Sequence, residues 1–109
     1  MARFLLTHAV TQGAEKHPQH EAIRFAGEAL RYAELEQRTN SVARTLMEQG
    51  LKRGDRVGIY MNKGLESAVA IYGIMKAGGA YVPLDPFAPV QRLSYVIQDC
   101  GIRHLFTKE

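Results

Sequence analysis

The stretch from Arg56 to Pro83 limits the fold more than any other part of the sequence. Arg56-Val57-Gly58-Ile59-Tyr60-Met61 is short and apolar, the pattern of a strand covered on both faces. Asn62 is the expected cap of the helix that follows. That helix, Leu65 to Ala77, has almost no polar face: Ala68, Val69, Ala70, Ile71, Tyr72, Ile74 and Met75 surround its axis. A helix apolar nearly all round has to be buried nearly all round. Gly78-Gly79 ends it, and Ala80-Tyr81-Val82-Pro83 reads as a second strand. Strand, crossover helix and strand within about 30 residues make a βαβ unit, which predicts parallel neighbouring strands and a right-handed crossover.

The flanks extend the same architecture. Phe4 to Lys16 reads as a helix with a weak apolar stripe of Phe4, Leu5, His8 and Ala14, and Pro18 disfavours helix in the residue before it. Ala22–Phe25 and Ala29–Tyr32 alternate around Ala26-Gly27-Glu28, which predicts a β-hairpin with a three-residue connection. Ala33 to Gln49 is an amphipathic helix with Leu35, Thr39, Val42, Leu46 and Met47 on its apolar side. Gly50 stands where a left-handed cap would end it. After the βαβ unit, Pro89 suits the first turn of another helix. Val90, Leu93, Ile97 and Cys100 mark one face of that helix, and Gly101 closes it. Ile102–Phe106 is the third strand of the series. The fold class is therefore α/β: a partial doubly wound parallel sheet with an N-terminal helix and a β-hairpin, in one continuous unit over residues 1–109. Three short parallel strands leave an open edge, and the apolar helix needs partners. The sequence is expected to be the opening portion of a larger α/β domain.

Composition narrows the function classes. With 46% apolar and 23% charged residues, the 109-residue chain is of ordinary globular type, not disordered or collagen-like. Fourteen basic against eleven acidic residues leave a net charge of +3, and the bases are spread along the chain. The one cluster, Lys52, Arg53 and Arg56, reads as a solvated loop before a strand, so no nucleic-acid partner is expected. No apolar run approaches the roughly 20 residues of a membrane span. The start turns polar at Thr7 and His8, too soon for the apolar region of about 7–15 residues in a signal peptide. Cys100, the lone cysteine, has no intramolecular partner for a disulfide, which fits a reducing cytoplasm.

No catalytic constellation is visible in the residues themselves. G-x-x-x-x-G-K-[ST] is absent, and so is G-x-G-x-x-G between a strand and a helix. The turn Asn62-Lys63-Gly64-Leu65 offers a single glycine with a lysine, a plain loop-to-helix junction rather than a phosphate cradle. His8, His17, His20 and His104 have no i,i+4 partner and no pairing with Cys100, so no metal site is expected. His17 and His20 flank a Pro-Gln turn and should be exposed. Cys100 reads as a small buried hydrophobe. Asp99 is isolated, and Asp85 lies at the carboxyl end of a strand, where α/β ligands bind, but it reads as a turn residue before Pro86. Tyr32, Tyr60, Tyr72, Tyr81 and Tyr95 are expected to be packing residues.

Two stretches resemble a known family. Leu30-Arg31-Tyr32-Ala33-Glu34-Leu35 resembles the first core motif, L-[ST]-Y-x-E-L, of the adenylate-forming (AMP-binding) superfamily. Met75-Lys76-Ala77-Gly78-Gly79-Ala80-Tyr81-Val82-Pro83-Leu84-Asp85-Pro86 resembles the second, L-K-A-G-x-A-Y-[VL]-P-[LI]-D-P. Gly54–Ile59 and Arg92-Leu93-Ser94-Tyr95 with Asp99 are also similar, so the likeness runs from about Phe4 to Thr107. Arg31 departs from the pattern: it stands where a Ser or Thr hydroxyl would cap the long helix, an interaction of about 1 kcal/mol. Met75 in place of leucine nearly conserves volume.

The resemblance implies an ATP-dependent ligase that joins a carboxylic acid to AMP, releasing pyrophosphate. The acyl group then passes to coenzyme A or to a phosphopantetheine arm on a carrier protein. The leaning is toward amino-acid adenylation in non-ribosomal peptide synthesis, on Gly79–Asp85. ATP and magnesium are implied for the whole enzyme. The family's Ser/Thr/Gly-rich phosphate loop, its adenine- and ribose-binding motifs and its catalytic lysine have no counterpart among these residues. Both motifs that are present are mainly structural in the family. No catalytic, cofactor-binding or metal-binding residue is therefore carried over, and the chain is expected to be silent alone, with the remainder of an adenylation domain as its partner. The alternative is a non-catalytic module that docks onto a complementary ligase segment.

Overall fold

In chain order the elements are α1 (Ala2–Lys16), β1 (Glu21–Phe25), β2 (Glu28–Arg31), α2 (Tyr32–Glu48), β3 (Arg56–Tyr60), α3 (Leu65–Lys76), β4 (Ala80–Leu84), α4 (Val90–Asp99) and β5 (His104–Thr107). They belong to a computed structural model that describes the backbone of residues 2–107 and the side chains of residues 9–107. The expected stripe residues Phe4, Leu5 and His8 lie outside the described side chains.

β3 is the centre of a three-stranded sheet in the order β4-β3-β5, with both pairings parallel. Gly58 stands opposite Val82 on one side and Leu105 on the other. The chain thus steps from β3 to β4, then returns over β3 to β5. Right-handed crossovers in opposite directions set α3 and α4 on opposite faces of the sheet. Side chains alternate accordingly: Val57 and Ile59 point to the α3 face and are fully enclosed, packed with Leu46, Leu51, Ala70 and Ile74. Gly58 points the other way, where a Cβ would stand 2.9 Å from Leu105 and 3.1 Å from Leu84.

Two cores explain the unusual composition of α3. Ala70 and Ile74 face the sheet, while Val69 joins Val10, Leu30 and Leu35 in a second cluster beneath the hairpin and α1. Most of its other residues are half-buried and Glu66 is exposed, so the helix is enclosed on two sides rather than all round. The close crossing with α2 rests on Gly73: a Cβ there would lie 2.4 Å from Val42 Cγ1 and 2.5 Å from Val42 Cβ. Thr39, completely buried at the same crossing, donates its hydroxyl to the Leu35 carbonyl at 2.8 Å, so no polar group is stranded.

Helix ends follow the glycines. At α3 the Gly78 N–H donates to the Met75 carbonyl and the Gly79 N–H to the Ile74 carbonyl, with Gly78 at φ 85°. That is the Schellman pattern, and it recurs at Gly50 after α2 and at Gly101 after α4. The helix starts differ from expectation. The cap of α3 is Gly64, not Asn62; the Ser67 hydroxyl accepts from the Gly64 N–H and donates back to the Gly64 carbonyl, both at 2.9 Å. The cap of α2 is Arg31, which has no side-chain capping bond, but the Glu34 carboxylate accepts from its N–H at 3.0 Å. Half of a capping box thus survives without the hydroxyl.

Other expectations need correction. The hairpin turn has two residues, Ala26 and Gly27, both at positive φ (52° and 84°), because this twist matches that of the flanking strands. Met47 is exposed, and Ala43 takes its place on the buried side of α2. No residue of α4 is buried: Val90 and Tyr95 are exposed, and Leu93, Ile97 and Cys100 are half-buried. Tyr81 and Tyr95 are exposed rather than packed. Among the described residues β4 has a strand neighbour on one side only, and α4 is not closely packed against any other element.

Candidate functional site

Parallel strands bring their carboxyl ends to one side of a sheet, and ligands of α/β proteins bind there, where the strand order reverses direction. In this chain the reversal lies between β3 and β5, so Tyr60 and Thr107 flank it. An open cleft of about 560 Å³ is centred on that end of the sheet. Its volume falls within the roughly 300–1,000 Å³ of small-molecule sites. The start of α3 forms one wall, the loop after β4 contributes Pro86, and the strand ends flanking the hairpin turn supply Phe25 and Glu28 from a distant part of the sequence.

The polar groups of the cleft are largely committed to the fold. The Tyr60 hydroxyl donates to the Pro86 carbonyl at 3.3 Å, tying the ends of β3 and β4 together. Ser67 and Gly64 satisfy one another at the start of α3. Lys63 and Glu28 are exposed at the rim. Nothing in this set pairs a nucleophile with a base, and among the described residues no three His, Cys, Asp or Glu side chains converge on a metal position.

The residues weighed from the sequence separate into three places. Lys63 is at the cleft. Asp85 is beside it, and its Oδ1 accepts from the Phe87 N–H at 2.9 Å, the turn role expected of it. The basic cluster lies at the opposite, amino end of the sheet. There the Lys52 N–H is held by Asp55 at 2.9 Å, and the Arg56 guanidinium donates to the Cys100 carbonyl at 3.0 Å. Cys100 and His104 are half-buried at that same end, and Asp99 is exposed. His17 and His20 are exposed, as expected, and their rings stack with centroids 4.6 Å apart. The sequence reading missed Tyr60, Thr107 and the hairpin turn as neighbours. Their only sequence signal is position at strand ends; contact across some 80 residues is a tertiary fact.

The second motif is tied to the helix of the first at the far end of α3. Lys76, from the second, forms an ion pair with Glu36, the residue after the first, and donates to Asn40 at 2.9 Å. Thr11 of α1 donates to Glu36 at 3.2 Å, so one cluster ties three helices. With side-chain exposures of 12% for Lys76 and 22% for Glu36, this pair is better shielded than a surface salt bridge.

Comparison with known proteins places this arrangement. The model of the AMP-binding enzyme family matches residues 10–109. Gramicidin S synthase 2 of Brevibacillus brevis is 47% identical over 95 residues, covering 87% of this chain and 2% of the relative. Surfactin synthase subunit 1 of Bacillus subtilis (strain 168) is 40% identical over 96 residues, which cover 88% of this chain and 3% of the relative. Among solved structures, the non-ribosomal peptide synthetase FmoA3 in its α-methyl-L-serine-AMP-bound form superposes with a TM-score of 0.89 and 36% identity over 95% of this chain and 12% of that one. The N-terminal subdomain of Klebsiella oxytoca NpsA has the same fold, with a TM-score of 0.80 at 24% identity over 94% of this chain and 27% of that one. The chain thus spans only a few per cent of the curated relatives it matches. No described helix is long and apolar enough to cross a membrane.

Proposed function

The chain belongs to the AMP-binding enzyme family, and from that premise we propose that residues 1–109 supply the N-terminal portion of an amino-acid adenylation domain of the non-ribosomal peptide synthetase type. The observation that carries the reading is the superposition on FmoA3, a synthetase whose matching structure holds an aminoacyl adenylate. The complete domain would join an amino acid to ATP, release pyrophosphate, and pass the aminoacyl group to the phosphopantetheine thiol of a carrier protein. Tyr60, Gly64, Lys63 and Ser67 would form part of the wall on which the rest of that domain is built. A chain with one half-buried cysteine and no partner for it fits a cytoplasmic enzyme.

ATP and magnesium belong to this reading only through residues that other parts of such a domain supply. The groups present do not fit a nucleotide–metal site. The Ser67 hydroxyl and Gly64 N–H are bonded to each other, Tyr60 is bonded to Pro86, and no acidic set converges among the described residues. Adenylation depends on positioned charge around the phosphates. By itself the chain should therefore be inactive.

Pyrophosphate exchange tests this. The purified chain is incubated with ATP, magnesium, labelled pyrophosphate and a panel of amino and fatty acids. No acid-dependent incorporation of label into ATP is expected. Exchange that rises with any one acid would overturn the claim of inactivity.

A further inference from the structure

The i,i+4 spacing that sets two ligands on one face belongs to helices, and His17 and His20 lie beyond the end of α1. There the His20 N–H donates to the His17 carbonyl at 3.0 Å, which closes His17-Pro18-Gln19-His20 into a β-turn. The first and fourth residues of such a turn have their α-carbons within about 7 Å. The two imidazoles accordingly stand face to face, with planes 6° apart and centroids separated by 4.6 Å, and both residues are exposed.

The turn is pinned at both ends. The His17 N–H donates to the Gly13 carbonyl at 2.7 Å, the Tyr32 N–H donates to the His20 carbonyl at 2.9 Å, and the Ala33 N–H donates to the Pro18 carbonyl at 3.0 Å. Gly13 is itself covered by the Tyr32 ring, which leaves no room for a Cβ. Two ligands on one fixed turn lose little freedom when they share an ion, which is the advantage of preorganisation. Glu21, next to His20 in sequence, is paired with Arg24, and among the described residues no third His, Cys, Asp or Glu joins the two rings.

We propose that His17 and His20 form a two-histidine site for a divalent transition ion of the zinc type, with its remaining positions open to water. Neutral imidazole is a ligand such ions favour, at Zn–N distances of about 2.0–2.1 Å. A tetrahedral ion then needs its two nitrogens about 3.3 Å apart. The rings meet that spacing by turning about their Cβ–Cγ bonds, which their exposure leaves free, so the stack opens as the ion enters. Bound there, the ion fastens the end of α1 to the start of α2, because the carbonyls of the turn hold the N–H groups of Tyr32 and Ala33. The site is separate from the cleft and independent of the proposed function.

Calorimetric titration of the intact, tag-free 109-residue chain with zinc chloride tests it. Saturable binding of a single ion is expected, with none for magnesium, which prefers oxygen ligands. His17→Gln and His20→Gln should each weaken zinc binding about tenfold or more, at least the loss that an outer-shell partner causes. Cys100→Ser and His104→Gln, at the other end of the sheet, should bind like wild type. Excess zinc should raise the Tm of the wild-type chain and leave that of both turn variants unchanged. Circular dichroism without zinc shows whether each variant is folded, and either turn variant serves if the other is not. Dependence on only one of the two histidines, loss of binding with Cys100→Ser or His104→Gln, or no saturable binding to the wild-type chain would each overturn the site.

Discussion

Adding one methyl group at Gly73 sets two predictable effects against each other. In an isolated helix, alanine is better than glycine by about 1 kcal/mol. Here the new Cβ would lie 2.4 Å from Val42 Cγ1 and 2.5 Å from Val42 Cβ, against an optimal carbon–carbon separation of about 3.5–4.0 Å. A rotamer change moves Cγ1 but not Cβ, which is fixed to the α2 backbone. The helices must therefore separate by roughly 1 Å, and the Thr39 carbonyl, 3.3 Å from the new atom, has little room to yield. Overpacking of this kind costs about 1–3 kcal/mol. With both contacts at or below 2.5 Å the cost lies at the upper end, about 2–3 kcal/mol, so after the propensity gain Gly73→Ala should destabilise the chain by about 1–2 kcal/mol, a fall in Tm of roughly 5–15 °C for a domain of this size. Thermal and urea unfolding followed by circular dichroism measure it. Val42→Gly removes both contacting atoms, so the double variant should show favourable coupling of about 1 kcal/mol or more. A Gly73→Ala chain as stable as wild type would refute the reasoning, since propensity alone would then have prevailed.

Other substitutions probe separate links. Lys76→Met leaves Glu36, among the described residues, with the Thr11 hydroxyl alone and should destabilise by about 1–3 kcal/mol; Glu36→Leu added to it should recover part of the loss, because the stranded carboxylate is gone. Ala26 occupies a left-handed turn position that costs a non-glycine residue about 1–2 kcal/mol. Ala26→Gly should therefore raise the Tm by a few degrees, and an unchanged or lower Tm would count against the turn assignment. Gly78→Ala meets no close neighbour but forces a Cβ into φ 85°, so it should destabilise by about 1 kcal/mol through backbone strain alone. Glu34→Ala removes the remaining half of the α2 capping box and should lower stability by about 0.5–1 kcal/mol, measured by the same unfolding curves.

Local chemistry made much of this architecture legible in advance. The apolar runs at Arg56–Tyr60 and Ala80–Leu84, the helical run between them and the glycines at 50, 78 and 101 each impose their element within a few residues. Backbone geometry explains why such signals are dependable. A glycine that ends a helix needs nothing from the rest of the chain, and an apolar helix between two strands leaves one handed way to pack. The family likeness was equally local, carried by contiguous residues from Leu30 to Leu35 and Met75 to Pro86.

What the sequence could not decide involves residues that meet only after folding. Asn62 looked like a cap, yet Ser67 reaches back to Gly64 and takes the role, because a cap is a matter of which oxygen finds the N–H. The apolar stripe of α4 predicted burial, but burial depends on a neighbour, and no residue of α4 is buried. The cleft needs Phe25, Tyr60, Pro86 and Thr107 in one place, and no periodicity connects them. The ion pair of Lys76 with Glu36 spans 40 residues and ties the second motif to the residue just after the first. Propensity and turn chemistry act over a few bonds and so belong to the sequence alone. Contacts between distant segments arise from strand order and register, which only the tertiary structure fixes.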